Sequence, residues 1–388
     1  MAMRRRGWLI VCGVVSLVLA FLLQHLEPLE LCCIRFPIAG QPKSDAEVEA
    51  LQMELATRSK GSFVHDLGTL RLLAKTRKFG TRVYGPDDRT DPFADPVQKV
   101  DAELQANVNA TALIINDVEL LDKGTTKAWR LKIGPLSNYG ICKCERFSDQ
   151  YSAMLGSPCT GFLLDEQHVI TASHCVEAAT TLGLKRFIFN FQFRPGEDIR
   201  DLDEDQVYSA TNVVYRSDPC DRRNPDVAIV ALDRKVSIKP SRRAASNPRP
   251  KESVYLVGYP LGLPAKYAPG AEVRDNNPLA AHFVANTDGY KGNSGSPVFN
   301  SANEIVGVQV RGVLSLAQPC GCWSSTWCPD TGCRGEHVTR ISEVPTIAPT
   351  TPTPFETNEC DGEVLNPQVP TEYDKWLVNR FPQMRRLE

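Results

Sequence analysis

DVAIVAL, residues Asp226 to Leu232, is one carboxylate followed by an unbroken apolar run rich in valine and isoleucine. A run this short has the length of a strand, and apolar character on both faces places it inside a core. Similar runs recur on either side. FIFNFQF (Phe187 to Phe193) lies upstream, and SVYLVGY (Ser253 to Tyr259) and EIVGVQV (Glu304 to Val310) lie downstream. Gly, Pro, Asn and Asp bound them. From about Leu113 to Ile341 the pattern holds without long helices between the runs. This predicts an all-β core, a barrel or a sandwich, and argues against a parallel α/β sheet.

The whole chain has 388 residues, 44 basic and 46 acidic side chains for a formal net charge of -2, and 42% hydrophobic residues. That suffices for at least one large core and sets aside disorder, collagen, and nucleic-acid binding through bulk positive charge. The 13 cysteines include the close pairs Cys142/Cys144 and Cys320/Cys322. Such usage is heavy for a reducing compartment and predicts disulfides made after export. Zinc is the alternative for close pairs, but it usually takes thiolates about two to four residues apart in a repeated pattern. No metal and no cofactor are expected.

Arg4, Arg5 and Arg6 precede an apolar run from Gly7 to Leu23, the order of a secretory signal or a signal anchor. The run of 17 residues is longer than most cleaved cores. It is slightly short of the roughly 20 that span a bilayer, and no small-x-small cleavage site follows closely, so an anchor is slightly favoured. Residues 1–40 are assigned to this segment. Residues 41–79 form a partly helical stalk or propeptide, in which Ser44 and Glu47 fit a capping box ahead of Val48, Leu51 and Leu55. The β domain takes 80–345, and 346–388 are a Pro/Thr linker and tail. The expected location is extracytoplasmic, secreted or held at a membrane by the amino-terminal segment.

Three places carry candidate chemistry. His174, in Thr171-Ala-Ser-His-Cys175, sits where the apolar run His168-Val-Ile170 ends in a turn. Asp226 stands at the mouth of its buried run. Gly292-Asn-Ser-Gly-Ser-Pro297 puts a hydroxyl on a tight turn, where acyl transfer needs it, with backbone N–H groups nearby to receive an oxyanion. Gly292 admits close approach, and its N–H with that of Ser294 would form the oxyanion hole. Taken singly, each has a plainer reading: a histidine in a turn, a turn aspartate, and a Gly/Ser/Asn surface turn leading into Val298-Phe299.

Together, in the order His174, Asp226, Ser294, these motifs resemble those of chymotrypsin-like serine proteases, whose triad is a standard template for such mechanisms. TASHC is similar to the family's His motif, PDVAIVAL to its Asp motif and GNSGSPVF to its nucleophile motif, nearest the trypsin-like and bacterial glutamyl-endopeptidase branch. The resemblance covers roughly residues 80–345. It implies two six-stranded antiparallel β-barrels, a protein or peptide substrate, no nucleic acid, and a monomer. It implies Ser294 as nucleophile, His174 as general base and acid, and Asp226 as the group that orients the imidazole. It also implies a disulfide between Cys159 and Cys175 that ties the His loop.

Asp288 stands where the trypsin branch carries the acidic residue that binds a basic P1 side chain, which implies cleavage after Arg or Lys. A glutamyl preference is the alternative: GVQVRG lacks the histidine of those enzymes, but Arg311 would attract an acidic side chain. A silent, protease-like binding module is the other, and the presence of all three triad residues disfavours it. Arg82-Val-Tyr-Gly85 resembles a zymogen cleavage site, but Asn293 stands where trypsin has the aspartate that receives the new amino terminus. Activity without cleavage at Arg82 is therefore expected.

Overall fold

The computed structural model describes residues 83–348, except 94–100, 117–119, 123–128, 177–181, 218–222, 224, 313–315, 318–321, 326 and 329–334. The amino-terminal apolar run, the helix expected from Ser44, Arg82, and the linker and tail beyond 348 lie outside the described residues. Among the described residues no helix is long and apolar enough to cross a membrane.

The apolar runs form strands, and the strands close into two barrels of six, as the resemblance implies. The first barrel holds β1 (Thr111–Asn116), β2 (Cys159–Leu163), β3 (His168–Ala172), β4 (Lys185–Phe189), β5 (Val207–Arg216) and β6 (Val227–Leu232). Its order around the wall is β5-β6-β3-β2-β1-β4. The second holds β7 (Ser253–Gly258), β8 (Lys266–Asp275), β9 (His282–Ala285), β10 (Pro297–Asn300), β11 (Ile305–Arg311) and β12 (Glu336–Arg340), ordered β7-β8-β9-β12-β11-β10. Every pairing within the barrels is antiparallel. Closure leaves neither sheet an open edge.

Two departures from the sequence pattern have local causes. FIFNFQF does not continue as strand through Phe193, because Asn190 takes a left-handed φ of 58° and turns the chain out of β4. A short helix, α1 (Ala102–Asn109), precedes β1. The Asp101 carboxylate caps it by accepting from the N–H of Glu103, and its buried Asn107 donates to the Tyr255 hydroxyl at 3.0 Å.

Leu113, Phe162, Phe187, Phe189, Val213 and Ile229 fill the first barrel, and Val254, Leu256, Val273, Phe283, Val298 and Val338 fill the second. Burying side chains of this size typically contributes about 1.5–3 kcal/mol each. Tyr255, Val257, Tyr259, Phe299 and Val308 extend the first core into the second barrel, so the barrels share one apolar contact. The Tyr259 hydroxyl crosses it and donates to the Thr111 carbonyl at 3.0 Å.

A third cluster lies outside the barrels, around Val83, Ile141, Met154, Leu261, Tyr290 and Trp323. Here Val83–Tyr84 pairs in parallel with Trp327–Cys328, and the Cys142–Cys322 disulfide joins segments 180 positions apart. The turn-rich patch behind Tyr84 is strapped down by charge. Asp87 receives a two-pronged hydrogen bond from Arg89 at 2.9 and 2.8 Å, and Arg89 lies 4.3 Å from the centre of the Tyr290 ring. Farther along, buried Lys266 donates to Asp91 and to Gln150.

Candidate active site

β3 delivers His174 on a single 3-10 turn, Ser173–Val176, immediately after its last residue. Asp226 enters just ahead of β6 with a left-handed φ of 52°, a strained conformation for a residue with a side chain. Several contacts hold it there. Its carbonyl accepts from the N–H of Ser173 at 3.1 Å, and its Oδ1 accepts from the N–H of His174 at 3.1 Å. Oδ2 lies 2.9 Å from His174 Nδ1. The same Oδ2 faces the Nε of Arg311, at the end of β11, at 3.7 Å. Side-chain exposure is 16% for His174 and 11% for Asp226, so the pair is shielded without being sealed from solvent.

Cys175, next to His174, is bonded to Cys159 at the start of β2, as the resemblance implies. Among the described residues the one grouping of metal-ligand type is Cys159, His174 and Cys175. Two of its three ligand atoms are sulfurs already bonded to each other, which removes both thiolates that a metal would need.

The Gly292–Pro297 turn, which carries Ser294, comes from the other barrel, ahead of β10. Its carbonyls reach across to β2: that of Ser294 accepts from the N–H of Thr160 at 2.8 Å, and that of Gly292 from the Thr160 hydroxyl at 2.7 Å. The Ser294 carbonyl oxygen also lies 3.7 Å from Cys175 Sγ, which sets the turn against the residue that follows His174. Within the turn the N–H groups divide in a regular way. Those of Asn293, Gly295 and Ser296 donate to Tyr290, Gln309 and Asn293 carbonyls. Among the described residues no acceptor takes the N–H of Gly292 or Ser294, the two assigned to the oxyanion.

Both glycines of the turn are required by shape. Gly292 has φ 100°, and a Cβ there would stand 2.4 Å from the Tyr259 carbonyl oxygen. Gly295 has φ 86°, and its Cβ would lie 2.0 Å from the Thr160 carbonyl oxygen and 2.3 Å from the Thr171 hydroxyl.

Asp288, assigned by the resemblance to the P1 side chain, lies in the interior beside Tyr84. It is 5% exposed, and its Oδ1 accepts from the N–H of Tyr84 at 2.8 Å. Burial pushes its carboxyl well above the ordinary carboxylate range, opposed by that hydrogen bond and by the charge of Arg89. Asn293, buried beside it, directs its amide Nδ2 to the Asp288 carbonyl at 3.4 Å.

Sequence reasoning missed Glu336. This residue opens β12 at 1% exposure, with its carboxylate 3.3 Å from the Tyr84 hydroxyl and 3.4 Å from Gln309 Nε2. A Cβ on Gly312 would meet its Oε2 at 1.6 Å, so the carboxylate lies directly against that backbone. One acid at the head of a strand carries no local signal of this placement, which only barrel closure creates.

Residues 159–308 match the family model of the trypsin-like peptidase domain. No curated protein matches the chain in sequence. Among solved structures the chain is similar to the Rv3671c protease from M. tuberculosis in its active form, at 19% identity over 70% of this chain and 97% of that one, with a TM-score of 0.40. It is also similar to a Glu endopeptidase, at 16% identity over 63% of this chain and 92% of that one, with a TM-score of 0.38. A serine endoprotease from Yersinia pestis matches at 11% identity over 63% and 64%, also with a TM-score of 0.38. Residues 159–308 are thus similar to trypsin-like peptidase domains, within a fold of two closed six-stranded antiparallel β-barrels.

Proposed function

We propose that the chain is an exported, monomeric endopeptidase whose domain spans 80–345 and which works through an acyl-enzyme on Ser294. The observation that carries this reading is the 2.9 Å contact between His174 Nδ1 and Asp226 Oδ2, with the Ser294 turn packed against Cys175. In the mechanism, Ser294 Oγ attacks the peptide carbonyl carbon as its proton passes to His174 Nε2. The carbonyl oxygen becomes an anion facing the N–H groups of Gly292 and Ser294. Collapse breaks the C–N bond, and His174 returns the proton to the leaving amine. Water then attacks the acyl-enzyme by the same route, restoring the Ser294 hydroxyl and releasing the acid. Asp226 holds the imidazole in the tautomer that this exchange requires.

Two further features bear on the finer claims. The disulfides suit a compartment outside the cytoplasm, and the amino-terminal apolar run supplies the export signal or anchor. For the P1 side chain the reading remains Arg or Lys, with Asp288 and Glu336 as two acids flanking Tyr84. Arg311, the cation that a glutamyl preference would use, faces Asp226 instead. Asn293 stands where a new amino terminus would need an aspartate, which favours activity without cleavage at Arg82.

Labelling with a fluorophosphonate tests the mechanism. The oxidised, folded protein should be modified covalently, and Ser294→Ala should abolish labelling. A folded protein that never labels would favour the binding-module alternative. Profiling with a peptide library then reads the P1 preference, and cleavage confined to acidic positions would overturn the basic assignment.

A further inference from the structure

The triad is divided between the barrels: His174 and Asp226 belong to the first, Ser294 to the second. Its alignment therefore depends on what fixes one barrel against the other at this point. On the serine side, Thr160 of β2 bonds the carbonyls of both Gly292 and Ser294. On the acid side, two contacts come from the second barrel to adjacent residues. Thr339 of β12 donates its hydroxyl to the Pro225 carbonyl, and Arg311 of β11 sets its Nε 3.7 Å from Asp226 Oδ2.

Arg311 reaches this position through an irregularity in its strand. The pairing of β11 with β12 shifts between Gln309 and Arg311, so the alternation of side chains breaks there. Gln309 points inward to Thr287 and Glu336, and Val310 is also buried. Arg311 is turned toward the first barrel, where its side chain is 24% exposed against an Asp226 carboxylate 11% exposed. A carboxylate held in a left-handed backbone needs such outside restraint to keep a single orientation.

We infer that Arg311 is a positioning residue, a cross-barrel strut that holds the Asp226 carboxylate in line with His174. The inference rests on the catalytic reading above. It goes beyond that reading by giving a residue of the second barrel control over the acid of the first.

The test compares Arg311→Gln and Arg311→Lys in the full chain, with two readouts. The first is the low-field proton resonance of the His174 Nδ1–H, identified by its absence in Asp226→Asn. It should shift or broaden in Arg311→Gln and return toward the parent position in Arg311→Lys. The second is peptide hydrolysis: Arg311→Gln should lower kcat roughly tenfold with KM little changed, as expected for misplaced machinery, and Arg311→Lys should recover most of the loss. A resonance unmoved in folded Arg311→Gln would overturn the inference, as would a change confined to KM, which would make Arg311 a substrate contact. The resonance needs no turnover. Absent fluorophosphonate labelling in the parent protein would therefore bring down the catalytic reading without touching the strut.

Discussion

Asp288 combines a buried carboxyl with one backbone donor, and its protonation couples to folding. Its native value is raised, so between the ordinary carboxylate range and that raised value the folded chain holds a proton that the unfolded chain has lost. Stability contributed by this residue is therefore present at low pH and declines as pH climbs through that window. Asp288→Asn keeps an acceptor for the Tyr84 N–H and removes the titration. Chemical denaturation from pH 4 to 8 should show a smaller decline in the variant than in the parent, and parallel curves would mean that Asp288 ionises freely in the fold. The same substitution should lower kcat/KM on Arg and Lys substrates if this carboxyl meets the P1 side chain.

At the level of elements, the His174 turn and the Ser294 turn are pinned by different forces. The first is pinned covalently, by Cys159–Cys175 across a separation of 16 residues. A loop of that size stabilises by about 3 kcal/mol in the chain-entropy account. Cys159→Ala with Cys175→Ala should reduce unfolding free energy by about that amount, and should slow fluorophosphonate labelling because His174 is the neighbour of Cys175. An unchanged denaturation midpoint would show that the hydrogen bonds of Ser173 and His174 to Asp226 already fix the His turn. Sequence reading reached these elements because each turn adjoins an apolar run and carries its own motif. It named Arg311 only as an attractor of an acidic side chain, not as a neighbour of Asp226, and it did not reach Glu336. What places them is a register shift in β11 and the closure of β12 into the barrel, properties of pairing between distant segments that no local pattern encodes. The end of β4 at Asn190 was likewise hidden, since an asparagine between aromatic residues does not announce a left-handed backbone.

For the whole molecule, the two-barrel plan was legible from strand-length runs together with the motifs. The cluster that binds Val83–Tyr84 to the Trp323–Cys328 stretch was not. Cys142 and Cys322 stood out only as members of close pairs, and their bond spans 180 positions, with nothing in spacing to select it. Closing a loop that long should contribute about 5 kcal/mol in the chain-entropy account. Cys142→Ser with Cys322→Ser should thus lower the urea midpoint more than loss of the shorter disulfide does. An equal or smaller loss would mean that the denatured chain keeps these segments together without the bond.

The space around Gly295 has a consequence for how such a protein can diversify. Its missing side chain is filled by the backbone oxygen of β2 and the threonine hydroxyl of β3, both from the opposite barrel. No one-step amino-acid replacement there can be accommodated by a neighbour's rotamer. A side chain at this position could enter only together with a compensating displacement of the first-barrel backbone at Thr160.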